Sequence, residues 1–149
     1  YFHNLINDKL FLSYFCDNIM PTEYSSKIKV YYEDTDAGGV VYYANYLKYL
    51  ERARTEAIFS VGIRNKKLLN DYNTLIIVKS CNIDYKKSAK LEDVLNIKSK
   101  TIEVKNTSFL MQQNIFLGNE LIVESQVRLV CVDKLGKPTR IPQILQKLF

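Results

Sequence analysis

The sequence is poor in the residue types on which many enzymes depend. Its 149 residues include no tryptophan and a single histidine, His3, close to the N-terminus. A Ser/His/Asp triad, a Cys/His pair and a histidine-rich metal site all need a histidine inside the folded body, so these sites are disfavoured. Any chemistry must therefore depend on carboxylates, hydroxyls, backbone dipoles or a bound cofactor. We predict neither a metal nor a resident cofactor.

Cysteines and long apolar runs are also scarce. Cys16, Cys81 and Cys131 are odd in number and widely spaced, so they form neither a CxxC metal clamp nor the disulfide framework of a small secreted fold. The first 19 residues lack the basic start and the small-residue cleavage site of a signal peptide. No apolar run approaches the length needed to cross a bilayer. We expect a cytoplasmic protein without a membrane span.

No stretch of the chain concentrates one sign of charge. The 21 basic and 16 acidic residues give a net charge of +5, and the basic residues are spread along the chain. A protein dedicated to binding nucleic acid is therefore disfavoured, whereas the positive net charge is compatible with an anionic ligand. The length suits one hydrophobic core. We expect residues 1–24 to form a loosely attached N-terminal extension and residues 25–149 to form a single domain.

The apolar pattern predicts an α+β fold. Alternation over residues 26–33 predicts a first strand. Residues 43–61 have apolar side chains at helical spacing and are followed by Gly62, which predicts one long helix. Four more alternating stretches between Leu75 and Val132 predict an antiparallel meander, and the five-stranded antiparallel sheet is expected to curl round the helix. The apolar helix face comprises Leu47, Leu50, Ala53, Ala57, Ile58 and Val61.

Three carboxylates, Glu33, Asp34 and Asp36, precede a glycine pair and the predicted helix in the stretch YYEDTDAGGVVYYANY. An EF-hand loop starting at Asp34 is disfavoured because Gly38 and Asn45 occupy its fifth and twelfth positions. A phosphate-binding P-loop is disfavoured because valines follow the glycines. Taken alone, the stretch is typical of a turn, in which the aspartates form Asx turns and the glycines supply positive φ.

A longer stretch resembles a known family. Residues 31–46 and much of 47–56 resemble the signature of the acyl-CoA thioesterases of the YbgC type, within the 4-hydroxybenzoyl-CoA thioesterase family. The resemblance continues more loosely and covers residues 27–138. It implies the hot-dog fold, a sheet wrapped round one long helix, in agreement with the order of elements above. After residue 46 the matching residues are Leu47, Tyr49, Glu51, Arg52, Ala53, Arg54 and Glu56.

The resemblance also implies catalytic residues. Asp36 falls on the family's catalytic carboxylate, and Tyr43 on the position whose backbone N–H polarises the thioester carbonyl. A helix N-terminus suits that role because its unpaired N–H groups and partial positive charge stabilise a developing oxyanion. Asp36 then either attacks the carbonyl carbon or activates a water molecule, and both routes stay open. Many YbgC-type members have histidine at the place of Tyr43, so we expect activity with a different acyl preference.

Five further residues are candidates for substrate binding. Tyr32 matches a family position near the carboxylate, and it either contacts the site or packs as a strand residue. Gly39 lies in the turn before the helix. Lys86, Lys87 and Lys90, in the turn between the first two meander strands, form a solvated hairpin tip or contact the nucleotide phosphates of coenzyme A.

Glu51 and Arg54 lie three residues apart on the predicted helix, toward its buried side. An ion pair that braces the helix against the sheet or a partner subunit is favoured over Glu51 as the catalytic base.

The resemblance implies hydrolysis of an acyl thioester to a carboxylic acid and a free thiol. The expected substrate is acyl-CoA or an acyl-carrier protein, and the expected assembly is a homodimer or homotetramer with sites between subunits. A hot-dog hydratase is disfavoured because it relies on a site histidine. The alternative is a non-catalytic protein that binds acyl-CoA or acyl-carrier protein, and the presence of Asp36 argues against it.

Overall fold

The computed structural model of the protein describes residues 22–149. His3 and most of the expected extension lie outside these residues. The first strand begins at Glu23, so the folded domain includes two residues that the sequence assigns to the extension. The elements are β1 (Glu23–Lys29), a 3-10 turn (Tyr32–Asp34), α1 (Asn45–Ser60), α2 (Asn65–Tyr72), β2 (Leu75–Tyr85), β3 (Val94–Val104), β4 (Ser108–Leu117), β5 (Glu120–Val132) and a second 3-10 turn (Gln143–Leu148).

The five strands form one antiparallel sheet in the order β1-β3-β4-β5-β2. The predicted α+β fold, a five-stranded sheet with one long helix in the hot-dog arrangement, is confirmed. The predicted meander is wrong in one respect, because β2 pairs with β5 at the edge of the sheet and does not neighbour β3. Alternating polarity identifies a strand and its buried face, but it does not identify the strand's neighbours.

The first strand is shorter than predicted at its C-terminal end. β1 stops at Lys29, and the chain then turns into a 3-10 helix over residues 32–34. The Asp34 side chain accepts a hydrogen bond from the Tyr31 N–H. A local side-chain contact of this kind offers the backbone an alternative to strand pairing.

Helix α1 lies close to its predicted position and stops two residues before Gly62, which has a φ of +80°. Its buried face is rotated from the predicted one. Tyr46 and Tyr49 are buried, with their rings edge to face at 6.0 Å, whereas Leu47 is 44% exposed. The rotation follows from the tyrosine rings, whose large apolar area is better buried than exposed.

Helix α2 was not predicted from the sequence. Only Leu68 of its eight residues is buried, and two helical turns are too short for apolar spacing to identify a helix in the sequence. Helix α2 ends at Tyr72 and is capped by Asn73, which has a φ of 46°. Asparagine tolerates this left-handed conformation at a helix end.

The core consists of two clusters, one at each end of α1. The first packs the N-terminal half of α1 against the sheet, and it also buries Val30, Val41 and Ala89 from three connections. The second packs Ala57 and Ile58 against the other end of the sheet and the C-terminal turn. The first cluster therefore supports the loop that carries the carboxylates.

Candidate active site

The carboxylate stretch folds into a short hairpin in front of α1. The Asp36 N–H donates to the Val40 carbonyl at 2.9 Å, and the Gly39 N–H donates to the Asp36 carbonyl at 3.0 Å. Thr35 and Val41 form an antiparallel bridge at the base of the hairpin. Gly39 has a φ of +73°, which residues with a Cβ rarely adopt. Asp36 therefore lies on a hydrogen-bonded support and not on a loose loop.

Asp36 is exposed, and the hairpin holds only one of its carboxylate oxygens. Its Oδ1 accepts a hydrogen bond from the Gly38 N–H at 2.8 Å, which is the Asx turn that the sequence indicates. Within residues 22–149, no donor contacts the second oxygen, Oδ2. Asp36 thus presents to solvent a carboxylate oxygen that is able to attack an electrophile or remove a proton from water.

Asp34, two residues earlier, is 6% exposed. Its Oδ2 accepts from the Tyr31 N–H at 2.9 Å. Its carbonyl accepts from the Tyr42 N–H at 2.9 Å and from Asn45 Nδ2 at 3.0 Å. Sequence analysis treats Asp34 as a turn former and misses its contacts with the start of α1. No signal in the two-residue spacing distinguishes the buried aspartate from the exposed one.

Tyr43 lies two residues before α1, and its N–H has no acceptor among the described residues. It is therefore a free donor beside the first turn of the helix. The Tyr43 ring is 62% exposed and lies 4.8 Å from the Tyr42 ring and 6.3 Å from the Tyr85 ring. The Tyr85 hydroxyl donates to the Tyr43 carbonyl at 3.1 Å.

Tyr32 does not lie on a strand, contrary to the prediction. It begins the first 3-10 turn and is 81% exposed, so its interpretation as a packing residue is wrong. Its carbonyl accepts from Thr35 Oγ1 at 2.9 Å. Contact of the Tyr32 ring with a substrate stays a prediction.

The connection between β2 and β3 lies against the hairpin. The Val41 N–H donates to the Ala89 carbonyl at 2.8 Å, and the Ala89 N–H donates to the Tyr46 hydroxyl at 2.9 Å. Val40 and Lys90 form an antiparallel bridge. Lys90 is exposed, and within residues 22–149 no carboxylate lies within 4 Å of its ammonium group. This connection brings a free cation to the site.

Lys86 and Lys87 begin the same connection and have acidic neighbours. Lys86 Nζ lies 2.8 Å from Asp84 and 3.4 Å from Glu124, and the hydrogen bond with Asp84 raises the pKa of Lys86. Lys87 pairs with Glu120. The prediction of a hairpin tip is wrong, because β2 and β3 are not neighbours in the sheet.

Glu51 and Arg54 do not form the expected ion pair within 4 Å, although both lie in the described part of the chain. Glu51 is exposed and accepts from Thr55 Oγ1 at 2.7 Å. Arg54 donates to Gln113 Oε1 at 3.0 Å, and burial lowers the pKa of Arg54. Gln113 is fully buried and also donates to the Leu50 carbonyl at 3.1 Å. Arg54 therefore braces α1 against β4 through an amide.

A cavity of about 490 Å³ lies between α1 and β1. Small side chains of the helix and the sheet, including Ala57 and Ser26, line it together with Arg52. Neither Asp36 nor Tyr43 lines this cavity. In the single chain, the candidate site is an exposed surface in front of α1.

The described residues offer little to other kinds of site. Residues 22–149 bring together no group of three or more histidine, cysteine, aspartate or glutamate side chains suited to a metal ion. Neither helix in this part of the chain is long and apolar enough to cross a membrane. Cys81 and Cys131 are free thiols.

The sequence of the chain is similar to those of known thioesterases. The model of the thioesterase-like superfamily matches residues 30–149. The acyl-CoA thioesterase YbgC of Haemophilus influenzae is 39% identical over 128 residues, which cover 85% of this chain and 93% of that protein.

Solved structures agree with the sequence comparison. A probable thioesterase from Bartonella henselae has a TM-score of 0.79 at 30% identity, covering 81% of this chain and 100% of the other. The 4-hydroxybenzoyl-CoA thioesterase from Pseudomonas sp. strain CBS-3 has a TM-score of 0.78 at 20% identity, covering 85% and 99%. At that lower identity the likeness concerns the fold alone.

Proposed function

The chain belongs to the thioesterase-like superfamily and is a thioester hydrolase, and we propose that it cleaves acyl-CoA with Asp36 as the catalytic carboxylate and the Tyr43 N–H as the oxyanion donor. One observation carries the assignment of Asp36. Its Oδ2 is free and exposed, on a hairpin that is hydrogen-bonded to the residues just before α1. The alternative, a protein that binds acyl-CoA without cleaving it, is an outcome of the test below.

Hydrolysis adds water across the C–S bond and releases a carboxylic acid and a thiol. In one route an Asp36 oxygen attacks the carbonyl carbon, the C–S bond breaks with its electron pair on sulfur, and water then opens the mixed anhydride. In the other route Asp36 removes a proton from a water molecule as that water attacks. The free Oδ2 of Asp36 serves either route.

The remaining demands of the reaction are modest. As the carbonyl carbon becomes tetrahedral, its oxygen gains negative charge, and the unpaired Tyr43 N–H beside the helix N-terminus stabilises it. The leaving thiolate is a weak base, since thiol pKa values lie near about 8.5, so a strong general acid is unnecessary. A site without histidine is sufficient for this chemistry.

The substrate's polar end has a candidate partner beside the hairpin. Lys90 is exposed and free of acidic neighbours in the described residues, so of the three lysines it is the best placed to meet a phosphate of coenzyme A. Lys86 and Lys87 are already paired with carboxylates. At Gly39 an added Cβ would meet nothing within 4 Å, so this tip and the exposed Tyr32 ring are open to a bound molecule.

The test is thiol release from acyl-CoAs with short aliphatic, long aliphatic and aromatic acyl groups. We expect release by the wild type and a loss of about 10²–10⁴-fold in Asp36→Asn, because general-base or nucleophilic assistance is worth that much. Glu33→Gln is the matched control, since Glu33 is an exposed carboxylate in the same stretch. Equal rates in Asp36→Asn and wild type would contradict the role of Asp36, and binding without release would establish the alternative. Replacing acyl-CoA by acyl-carrier protein distinguishes the two carriers.

We further infer that the protein forms a homodimer or a dimer of dimers and that it works in the cytoplasm. The support for the assembly is the edge strand β2, on which Ile77 and Val78 are 45% and 50% exposed. An apolar edge strand is a surface that a second chain readily covers. Light scattering of the purified protein measures the mass, and a species of 17.4 kDa at micromolar concentration would refute the assembly.

A further inference from the structure

We propose that Asp34 is a positioning residue, which holds the hairpin of Asp36 at a defined place in front of α1. The proposal rests on the function proposed above, because it concerns how the reactive carboxylate is aimed. Asp34 itself does not contact the substrate, since it is 6% exposed.

The Asp34 carboxylate is buried and is hydrogen-bonded to the backbone. Its Oδ2 accepts from the Tyr31 N–H at 2.9 Å, which closes the 3-10 turn that ends at Asp34. Hydrogen bonds to a charged acceptor are among the stronger ones, and a buried carboxylate that loses them is costly. The turn therefore has one strongly favoured geometry.

The Asp34 carbonyl links that turn to the helix. It accepts two hydrogen bonds, from the Tyr42 N–H at 2.9 Å and from Asn45 Nδ2 at 3.0 Å. Asn45 is the first residue of α1 and is itself 6% exposed. The residue after Tyr42 is Tyr43, the proposed oxyanion donor. One peptide group thus joins the segment before Asp36 to the segment that supplies the donor.

A third contact comes from the second turn of α1. Tyr49 is fully buried, and its hydroxyl has no partner with regular hydrogen-bond geometry among the described residues. Burial raises the pKa of Tyr49, and the negative charge of the nearby Asp34 carboxylate raises it further. The Tyr49 hydroxyl therefore stays protonated beside Asp34.

These contacts converge on the hairpin. Between Asp34 and Tyr42 the chain is fixed by the Thr35–Val41 bridge and by the Asp36 N–H bond to Val40. A rigid hairpin moves as a unit, so a shift of Asp34 relative to α1 moves the Asp36 carboxylate relative to the helix N-terminus. Misplacement of a reacting group by about 1 Å costs about 10²-fold in rate.

The experiment measures kcat and KM for thiol release from acyl-CoA, and the melting temperature, for Asp34→Ala, which removes the acceptor of the Tyr31 N–H, and for Tyr49→Phe. At a temperature at which every variant is folded, we expect kcat of Asp34→Ala to fall by about 10–10²-fold with KM nearly unchanged. Tyr49→Phe is expected to lose less. Because both act through one contact, the double variant should lose less than the product of the single losses.

Two controls separate positioning from a general loss of stability. Ile63→Val removes a methylene from the second core cluster, far along the fold from the hairpin, and should lower the melting temperature without lowering kcat. In an Asp36→Asn background, Asp34→Ala should lower the melting temperature but leave the residual rate unchanged.

The possible results distinguish failure of the positioning role from failure of the proposed function. An Asp34→Ala variant with wild-type kcat, or with a kcat loss no larger than that of an equally destabilised core variant, overturns the positioning role. Absence of thiol release from the wild type overturns the proposed function instead. Loss of kcat at constant KM, with coupling to Tyr49, supports the proposal.

Discussion

Asp34 and Asp36 have the same side chain and lie two residues apart, yet the fold places them in opposite environments. Asp34 is 6% exposed and accepts hydrogen bonds at its carboxylate and its carbonyl. Asp36 is exposed at a hairpin, with one carboxylate oxygen held by a backbone N–H and one free. A buried carboxylate suits a structural role, and an exposed carboxylate with a free oxygen suits chemistry.

The difference arises from the contacts that each residue makes with α1. Asp34 meets the helix through Asn45 and Tyr49, whereas Asp36 makes its hydrogen bonds within the hairpin. Substitutions at and around Asp34 and Asp36 test whether the two aspartates have different roles. The following predictions go from the largest expected effect to the smallest.

Asp36→Asn should affect activity alone. The asparagine oxygen is still able to accept from the Gly38 N–H, so we expect an unchanged free energy of unfolding beside a rate lower by about 10²–10⁴-fold. Urea denaturation followed by circular dichroism, with thiol release on the same samples, measures both. A variant that is destabilised as much as it is slowed would show that the two aspartates do not differ in role.

Asp34→Ala should affect stability more than Asp36→Ala does. Truncation removes a buried carboxylate and its part-buried hydrogen bond from the Tyr31 N–H, at a cost of about 1–3 kcal/mol in the free energy of unfolding. Asp36→Ala removes an exposed hydrogen bond and should cost about 0.5–1 kcal/mol. Urea titration of the two variants gives the comparison, and the reverse order would contradict the burial argument.

Gly38→Ala should slow the reaction moderately. A Cβ at this position would lie 3.1 Å from Asp36 Oδ1, so the carboxylate must shift by a few tenths of an ångström, and we expect a loss of about threefold to tenfold in kcat. Gly118→Ala is the control for a glycine replacement outside the site, because Gly118 lies in the turn between β4 and β5 and an added Cβ there would meet nothing within 4 Å. Equal kcat values in the two variants would show that the Gly38 contact does not aim Asp36.

Glu33→Gln should have the smallest effect. Glu33 is exposed and makes no ion pair within 4 Å in the described residues. We expect the rate to be unchanged and the free energy of unfolding to change by less than about 0.5 kcal/mol. A loss of activity in this variant would extend the site to a third carboxylate and weaken the contrast between the two aspartates.

Local features of the site were predictable from the sequence. The Asx turn at Asp36 and the positive φ of Gly39 follow from the chemistry of aspartate and glycine in turns, and both are confirmed. The burial of Asp34 was not predictable, because it depends on Asn45 and Tyr49, which lie 11 and 15 positions further along the chain. The site roles of Asp36 and Tyr43 came from family resemblance and stay proposals.

The sequence alone determined the local elements of this protein: the long helix, the later strands and the turn at Asp36, because their apolar periods and turn residues act over a few positions. Only the tertiary structure decided that β2 lies beside β5, that Tyr49 and not Leu47 faces the core, and that one aspartate is buried while its neighbour is exposed. These outcomes depend on contacts between residues distant in sequence, and a local pattern holds no information about such partners.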